Sequence, residues 1–162
     1  MGRLIPGFSL ARLLPAAVAL VTLSAPVRAE SDAKGFVHTT PGEVKWQISE
    51  STPQAVLEGD PSKPGLYVVR VRFPPHTFSM PHTHSRDRHV TVVKGTWYMG
   101  VGDKFDPATA IAMPAGSYAK HPAGAVHWDG AKDEEVEVQI IGEGPVTTEV
   151  VNKNGPMFGP EK

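Results

Sequence analysis

The sequence has 162 residues, a formal net charge of −1 and no cysteine. The near-neutral charge excludes the basic surface that nucleic-acid binding requires. The missing cysteines exclude disulfides, thiolate nucleophiles, iron–sulfur clusters and cysteine-based zinc sites. Sixteen glycines and sixteen prolines favour a turn-rich β protein, and the seven histidines are the one unusual excess.

The N-terminal segment predicts export. Residues 1–29 contain three arginines and no acid, and an uncharged apolar stretch runs from Leu13 to Val27. That stretch is shorter than the roughly 20 residues that a membrane-spanning helix needs. A basic start, a short apolar middle and the Val27-Arg28-Ala29 sequence are typical of a secretory signal peptide. We therefore expect cleavage after Ala29, a periplasmic or secreted protein and no stable membrane span, with an uncleaved N-terminal anchor as the alternative.

Residues 30–162 predict one all-β domain, with its barrel core at about 44–151. Alternating or β-branched runs indicate strands at 43–48, 66–73, 89–93, 96–99, 111–113, 135–141 and 146–151. Lys94-Gly95 predicts a tight turn, and Asp106 to Ala110 could make one helical turn. Short strands separated by glycine and proline favour an antiparallel sandwich or barrel.

Three histidines have the spacing of metal ligands. His82 and His84 are separated by one residue, so in an extended chain both rings point to the same face. His127 follows a turn that contains proline and glycine, at the expected start of a strand. Neutral imidazoles are suitable ligands for divalent Fe, Mn, Ni, Cu or Zn. The alternatives without a metal are an exposed His-x-His pair and a partly buried His127 beside Trp128.

These two segments resemble the motifs of the cupins, a family of small antiparallel β-barrels also called the double-stranded β-helix or jelly roll. The second cupin motif is Gly-x5-Pro-x-Gly-x2-His-x3-Asn. It is matched by Gly116, Pro122, Gly124 and His127, while Ala131 stands in place of the asparagine. The resemblance spans about residues 66–141. The sequence also resembles a subgroup of small single-domain bacterial cupins.

The first cupin motif, Gly-x5-His-x-His-x3–4-Glu-x6-Gly, is matched with two departures. His82, His84 and Gly95 agree with it, whereas His76 stands in place of the first glycine and Arg88 in place of the glutamate. The resemblance implies one divalent metal ion, iron being the first expectation, held by His82, His84 and His127. Three ligands on one face of an ion would leave positions open for small molecules.

A site of this kind resembles that of several cupin dioxygenases. The leading expectation is therefore a non-haem-iron-type dioxygenase acting on a small anionic or enolisable compound. A metal-dependent isomerase or lyase, a non-enzymatic metal- or small-ligand-binding cupin and a cupin that has lost its metal remain alternatives. By analogy with the family, we also expect a homodimer whose contact includes the strand around Val44 to Ile48.

Arg88 leaves three alternatives open, because a guanidinium cannot ligate a metal and repels one nearby. It could point inward and bind an anionic substrate. It could instead form a structural ion pair with Asp87, Glu135 or Glu137. A one-residue shift of the strand, of the kind a β-bulge allows, would make His89 a fourth ligand instead, although the alternation of residues 88–93 favours the regular register.

Five further residues are weaker candidates. His76 and His121 flank the two motifs and could be hydrogen-bond donors behind the ligands, although histidines in proline-rich turns are commonly solvated. Trp97, Trp128 and Gln139 are expected to line a pocket, with core packing as an equal alternative for the two tryptophans.

Overall fold

The computed structural model describes residues 31–49 and 52–161, so the predicted signal peptide lies outside the described residues. Within this part of the chain the helical structure is limited to two 3-10 turns, Pro41–Glu43 and Pro107–Thr109. The strands, in chain order, are β1 (Gln47–Ser49), β2 (Thr52–Glu58), β3 (Gly65–Phe73), β4 (Thr77–Ser79), β5 (His82–His84), β6 (Arg88–Lys94), β7 (Thr96–Val101), β8 (Ile111–Pro114), β9 (Tyr118–His121), β10 (His127–Ala131), β11 (Val136–Gly144), β12 (Thr148–Val150) and β13 (Phe158–Pro160).

The strands form two antiparallel sheets. The first sheet has the order β1-β2-β3-β11-β6-β9. In the second sheet β10 is central, because it pairs with β7 along one edge and with β4 and β5 along the other. The strands β8, β12 and β13 extend this sheet through β7, β5 and β4. The predicted all-β antiparallel fold is confirmed.

Side-chain alternation along the strands builds the core between the sheets. In β3 the residues Tyr67, Val69, Val71 and Phe73 are buried, whereas Val68, Arg70 and Arg72 between them are less so. Residues of β6 and β11 join them on the same side, and Trp97 joins them from β7. Each large apolar side chain that is fully buried stabilises the fold by about 1.5–3 kcal/mol. The same alternation places polar side chains of β5 and β10 inside the molecule.

The N-terminal strand is shorter than predicted. Only Gln47–Ser49 is a strand, and Ile48, which was expected on the buried face, is 75% exposed. The chain before it makes the turn at Pro41–Glu43, which is incompatible with an extended strand starting at residue 43. Trp46 instead lies under the guanidinium of Arg72, at 4.0 Å from the ring centroid. This segment therefore covers the outer face of the first sheet.

The predicted turn at Lys94-Gly95 joins two sheets rather than two paired strands. The strand β6 pairs with β11 and β9 in the first sheet, while β7 pairs with β10 and β8 in the second. Gly95 has a φ of 73°, and a Cβ there would lie 2.6 Å from the carbonyl oxygen of Glu135. Glycine is required at this crossing because a side chain would meet backbone.

The helical turn predicted at 106–110 is confirmed as Pro107–Thr109. No helix among the described residues is long and apolar enough to cross a membrane.

Candidate functional site

A cavity of about 320 Å³ lies between the two sheets. Its walls are part apolar and part polar, and the apolar side chains from the first sheet include Val90, Val138 and Ile140. The polar side chains among its lining residues are Gln54, Tyr67, Ser79, His82, His84, Arg88, His121, Asp129 and Thr148. A largely apolar pocket with a few convergent polar groups is the usual form of a small-molecule site.

The three histidines with ligand spacing come together beside this cavity, and two of them, His82 and His84, line it. His82 and His84 lie in β5, and their Nε2 atoms are 3.2 Å apart. His127 begins β10, where it is paired with His82 across the two strands. Its ring centroid is 4.3 Å from that of His82 and 5.1 Å from that of His84. All three side chains are buried.

Hydrogen bonds at Nδ1 fix the orientation of these rings. His82 donates from Nδ1 to the carbonyl oxygen of Met80 at 2.7 Å, and His127 donates from Nδ1 to that of Ala125 at 3.0 Å. The Nδ1 atom of His84 lies 2.9 Å from the Thr148 hydroxyl. A neutral ring that donates from Nδ1 has its lone pair on Nε2, so the Nε2 atoms of His82 and His127 can ligate a metal, whereas Nε2 of His84 lies next to the Arg88 Nη1 donor. Metal-binding histidines have the same arrangement.

Burial keeps His82, His84 and His121 neutral. It lowers the pKa of His82 from 6.5 to about 4 and that of His121 to about 3, although the carboxylate of Asp129 opposes both shifts. The pKa of His84 is also lowered, first by burial and then by the positive charge of Arg88. Neutral imidazole is the form that binds a metal, because protonation would occupy the lone pair.

The donor set fits a divalent ion. The candidate ligand atoms of His82, His84 and His127 all lie within 4.8 Å of one another. The Nε2 atom of His127 is buried and has no hydrogen-bond partner among the described residues. A buried polar atom without a partner is costly, and a shared cation would satisfy it. The three-histidine group could therefore hold a metal ion.

Arg88 points into the cavity. Its Nη1 atom lies 2.6 Å from Nε2 of His84, and its side chain is hydrogen-bonded to Tyr67. The carboxylates expected as its partners are engaged elsewhere: Asp87 pairs with Lys120, Glu135 with Lys94 and Arg72, and Glu137 with Arg70 and Arg72. The ion-pair interpretation of Arg88 is therefore wrong, because Arg88 lies on the inner face of β6 and these carboxylates do not line the cavity.

His89 lies on the outer face of β6. It is exposed, and its Nδ1 atom is 2.7 Å from the Tyr118 hydroxyl. The strands β6 and β9 pair without interruption from Arg88 to Thr91, and the irregularity between β6 and β11 lies at Glu137/Val138. The strand keeps the regular register, so the alternative with His89 as a fourth ligand is wrong.

Of the remaining candidates, His121 and Trp97 lie at the cavity, whereas His76 is exposed. His121 lies in the cavity wall, its ring stacked 5.6 Å from that of Trp97, and Trp97 lines the cavity as predicted. His76 is 61% exposed and lies 3.3 Å from Glu161. It follows the turn after β3 and points away from the cavity, so it supports no ligand.

Gln139 and Trp128 do not line the cavity. The alternation of β11 turns Val138 and Ile140 inward, and Gln139 accepts a hydrogen bond from Arg70 on the opposite face. Trp128 follows His127 and therefore lies on the other face of β10, where it packs on Phe78 and Phe105. The prediction for Gln139 was wrong because the side-chain period of two reverses with a shift of one residue, whereas Trp128 follows the core-packing alternative.

Two functional candidates were missed by the sequence analysis, Asp129 and Tyr67. Asp129 lies two residues after His127 in β10, so it shares the inner face, and its Oδ2 atom is 4.0 Å from Nε2 of His127. His121, His127 and Asp129 form a second group whose ligand atoms lie within 4.8 Å of one another. The spacing of two from His127 was the signal that could have identified Asp129. Tyr67 carried no such signal, because it is one of several apolar residues in β3.

Solved structures with low sequence identity have the same fold. The polyketide cyclase RemF from Streptomyces resistomycificus matches with a TM-score of 0.59 and 15% identity, over 73% of this chain and 88% of that chain. A cupin-like protein from Thermotoga maritima matches with a TM-score of 0.50 and 24% identity, over 59% of this chain and 74% of that chain. These likenesses support the cupin jelly-roll fold.

Sequence comparison identifies a relative and a family. A germin-like protein from Mesembryanthemum crystallinum is 31% identical over 103 residues, which are 60% of this chain and 44% of that protein. The chain thus spans less than half the length of this relative. Residues 42–156 match the family described as "Domain of unknown function (DUF4437)". That match covers most of the chain, which therefore belongs to the DUF4437 family and has a cupin fold.

Proposed function

We propose that this chain is a metal-dependent enzyme that binds one divalent ion at His82, His84 and His127 and acts on a small anionic or enolisable compound. The observation that carries the proposal is the convergence of three buried imidazoles, two of which line the cavity between the sheets. A site held by three protein ligands keeps positions open for a substrate, as catalytic sites do. Iron is the first expectation, and Mn, Ni, Cu or Zn are also compatible with imidazole ligands.

Arg88 supports the assignment of an anionic substrate. The Arg88 guanidinium lies beside His84 and its Nε atom is buried without a hydrogen-bond partner among the described residues. A guanidinium has five N–H donors in a planar fork that matches a carboxylate. Arg88 stands where the cupin motif has glutamate. In this interpretation an anion-binding group therefore replaces a metal ligand at this position.

The proposed reaction is a dioxygenation. Ferrous iron at the site would supply the one-electron chemistry that dioxygen requires. The apolar parts of the cavity wall, which include the Tyr67 ring and Ile140, would exclude water. Arg88 would orient the anionic group of the substrate.

A non-oxidative lyase or isomerase reaction is the second candidate, and Tyr67 is the observation that favours it. Its hydroxyl is hydrogen-bonded to Arg88 in the cavity, and burial raises its pKa while the positive charge of Arg88 opposes that shift. A buried hydroxyl next to a cation could transfer a proton to or from a bound substrate.

The organisation of the chain is also part of the proposal. Residues 1–29 are a signal peptide in this account, residues 30–162 form one domain, and the mature protein is periplasmic or secreted. A homodimer is proposed by analogy with the family.

Oxygen consumption separates the candidate functions. The iron-loaded full chain should consume dioxygen with at least one member of a panel of β-dicarbonyl, phenolic and carboxylate compounds. The His82→Ala/His84→Ala/His127→Ala variant serves as the control and should consume none. Conversion of a compound without oxygen uptake would favour the lyase or isomerase, and tight binding without conversion would favour a binding protein.

A further inference from the structure

Two opposite charges line the cavity between the sheets without contacting each other. Arg88 comes from β6 and Asp129 from β10. Asp129 is 6% exposed, and it is the only acidic residue among the described residues that line the cavity. In the same part of the chain, the ion-pair contact of Asp129 is with His127, and Arg88 forms no ion pair with a carboxylate. The cavity therefore presents one positive and one negative group that do not neutralise each other by contact.

Both groups retain capacity to bind a ligand. Arg88 contacts His84 through Nη1 and is hydrogen-bonded to Tyr67, while its buried Nε atom has no partner among the described residues. The Oδ2 atom of Asp129 is 4.0 Å from Nε2 of His127, which is longer than a hydrogen bond. A buried charge is costly unless it is paired and hydrogen-bonded. A ligand that brings the opposite charge to each group would remove this cost.

The charge of Asp129 acts across the cavity. Burial lowers the pKa of Arg88, His82 and His121, and the negative charge of Asp129 opposes the effect of burial at each of them. A simple anion bound at Arg88 would lie in the same field and would be repelled by it. A molecule that also carries a positive group would be attracted at its other end.

The two charges lie next to different histidines of the three-histidine group. Arg88 Nη1 is 2.6 Å from Nε2 of His84, and Asp129 lies beside His127, whose ring centroid is 5.1 Å from that of His84. A ligand that contacts both charges therefore lies along the histidine group. The cavity of about 320 Å³ is at the small end of the range of about 300–1,000 Å³ for ligand pockets, so this ligand is short.

We infer that the cavity binds a small zwitterion, with its carboxylate on Arg88 and its ammonium group on Asp129. The inference rests on the proposed function in that this zwitterion is the substrate. It narrows the substrate class from a small anionic compound to an amino acid whose two charges are separated by a short carbon chain.

Calorimetric titration of the full chain with matched compounds tests this inference. The probes are 3-aminopropanoate, 4-aminobutanoate and 5-aminopentanoate, each compared with the carboxylate in which a methyl group replaces the ammonium group. At least one amino acid should bind roughly 10–100-fold more tightly than its counterpart, because the ammonium group adds a charge-assisted hydrogen bond. Equal or weaker binding of all three amino acids would overturn the inference.

Variants of the two charged residues assign each end of the ligand. Asp129→Asn should lower the affinity for the amino acid to that of its counterpart and leave the counterpart unchanged, whereas Arg88→Gln should weaken both. Asp103→Asn, which removes an exposed carboxylate, is the matched control and should change neither. Equal weakening of both compounds in Asp129→Asn would indicate a structural role for Asp129 and would overturn the inference.

The same titrations on chelator-treated and Co²⁺-loaded protein separate this inference from the metal proposal. The preference for the amino acid should be present in both states, because it comes from Arg88 and Asp129. A preference that appears only with Co²⁺ and survives Asp129→Asn would place the amino group on the ion and contradict the inference. Failure of the metal site would appear separately, as an unchanged Co²⁺ affinity of His82→Ala in competition with a chromophoric chelator, while the preference for the amino acid persists.

Discussion

At the scale of single residues, Arg88 determines what this site can bind. Its Nη1 atom lies 2.6 Å from Nε2 of His84, which is one of the atoms proposed to hold the metal. The same guanidinium hydrogen-bonds to Tyr67 across the cavity. A positive charge at this place opposes a metal cation and favours an anion. The two effects can be measured independently.

Arg88→Gln should strengthen metal binding and weaken anion binding. Removing the guanidinium removes its repulsion of a metal ion at His84, so metal affinity should rise. It also removes a charge-assisted hydrogen bond to the anion, which contributes about 1.5–3 kcal/mol, so the affinity for a small carboxylate such as acetate should fall roughly 10–100-fold. Calorimetric titration of the metal-loaded protein with acetate measures the second effect, and Co²⁺ competition measures the first. His89→Ala, the next residue on the opposite face of β6, is the matched control and should alter neither. Undiminished acetate affinity in Arg88→Gln would remove the anion-binding role.

At the scale of elements, β10 positions the site. It carries His127 and Asp129 on its inner face. Gly130 of β10 is paired with Phe78 of β4, where the two strands lie close together. A Cβ on Gly130 would collide with the carbonyl oxygen of Thr77 and lie 2.6 Å from Cα of Phe78. Only glycine allows the two backbones to approach this closely.

Gly130→Ala should therefore destabilise the fold and disturb the site together. The added methyl group forces a backbone shift, and overpacking of this kind costs typically about 1–3 kcal/mol. Chemical denaturation measures the loss of stability, and Co²⁺ affinity measures the displacement of β10. Gly42→Ala is the control, because a Cβ there meets nothing within 4 Å. Full stability and full metal affinity in Gly130→Ala would show that the close approach is not needed.

The elements also show what could be predicted from the sequence. Strands with clear alternation, such as residues 66–73, were predicted within one residue, because one face is buried and the other is not. His82 and His84 could be predicted to converge because an i, i+2 pair in a strand shares a face whatever the tertiary structure, and His127 was added by its resemblance to the second cupin motif. Short strands such as β4 and β13 were missed, since three residues give no period.

Residues whose role depends on the other sheet were harder to predict. Gln139 was placed in the pocket and lies outside it, because its inward or outward direction depends on the register of β11 with β3 and β6. The direction of Arg88 was left open for a similar reason. Among its potential carboxylate partners Asp87 is adjacent in sequence and Glu135 and Glu137 are distant. Their engagement with Lys94, Lys120, Arg70 and Arg72 is visible only in the folded chain.

At the scale of the whole molecule, the fold encloses a cluster of neutral imidazoles. His82, His84 and His121 are all buried near one another, and the pKa of each is lowered from 6.5 mainly by burial. In the unfolded chain these rings would be hydrated and would accept protons below pH 6.5. The metal-free protein consequently binds fewer protons than its unfolded form in acid.

Stability of the metal-free protein should therefore fall as the pH decreases. As the pH falls, the unfolded chain takes up protons before the folded chain does. The contribution of these rings to the free energy of unfolding is therefore complete above pH 6.5. It is lost progressively as the pH falls toward the folded-state pKa, about 4 for His82 and about 3 for His121. The loss should amount to several kcal/mol, since one pKa unit corresponds to about 1.4 kcal/mol. Urea denaturation in the presence of a chelator, repeated from pH 7 to pH 4, measures it.

A matched pair of variants identifies the source of this acid sensitivity. His121→Asn removes a buried ring and should flatten the dependence on pH, whereas His76→Asn removes an exposed ring and should not. Stability that does not change from pH 7 to pH 4 in the parent protein would contradict the account of a neutral buried cluster.

The metal content of the purified full chain tests the central claim most directly. With His82, His84 and His127 as the ligands of one shared ion, elemental analysis should find about one divalent metal per chain, since Nε2 of each ring has a single lone pair. The His82→Ala/His84→Ala/His127→Ala variant should contain none, and His76→Ala/His89→Ala, which removes two exposed histidines, should match the parent. Equal metal content in the triple variant and the parent would contradict the claim that these three imidazoles hold the ion.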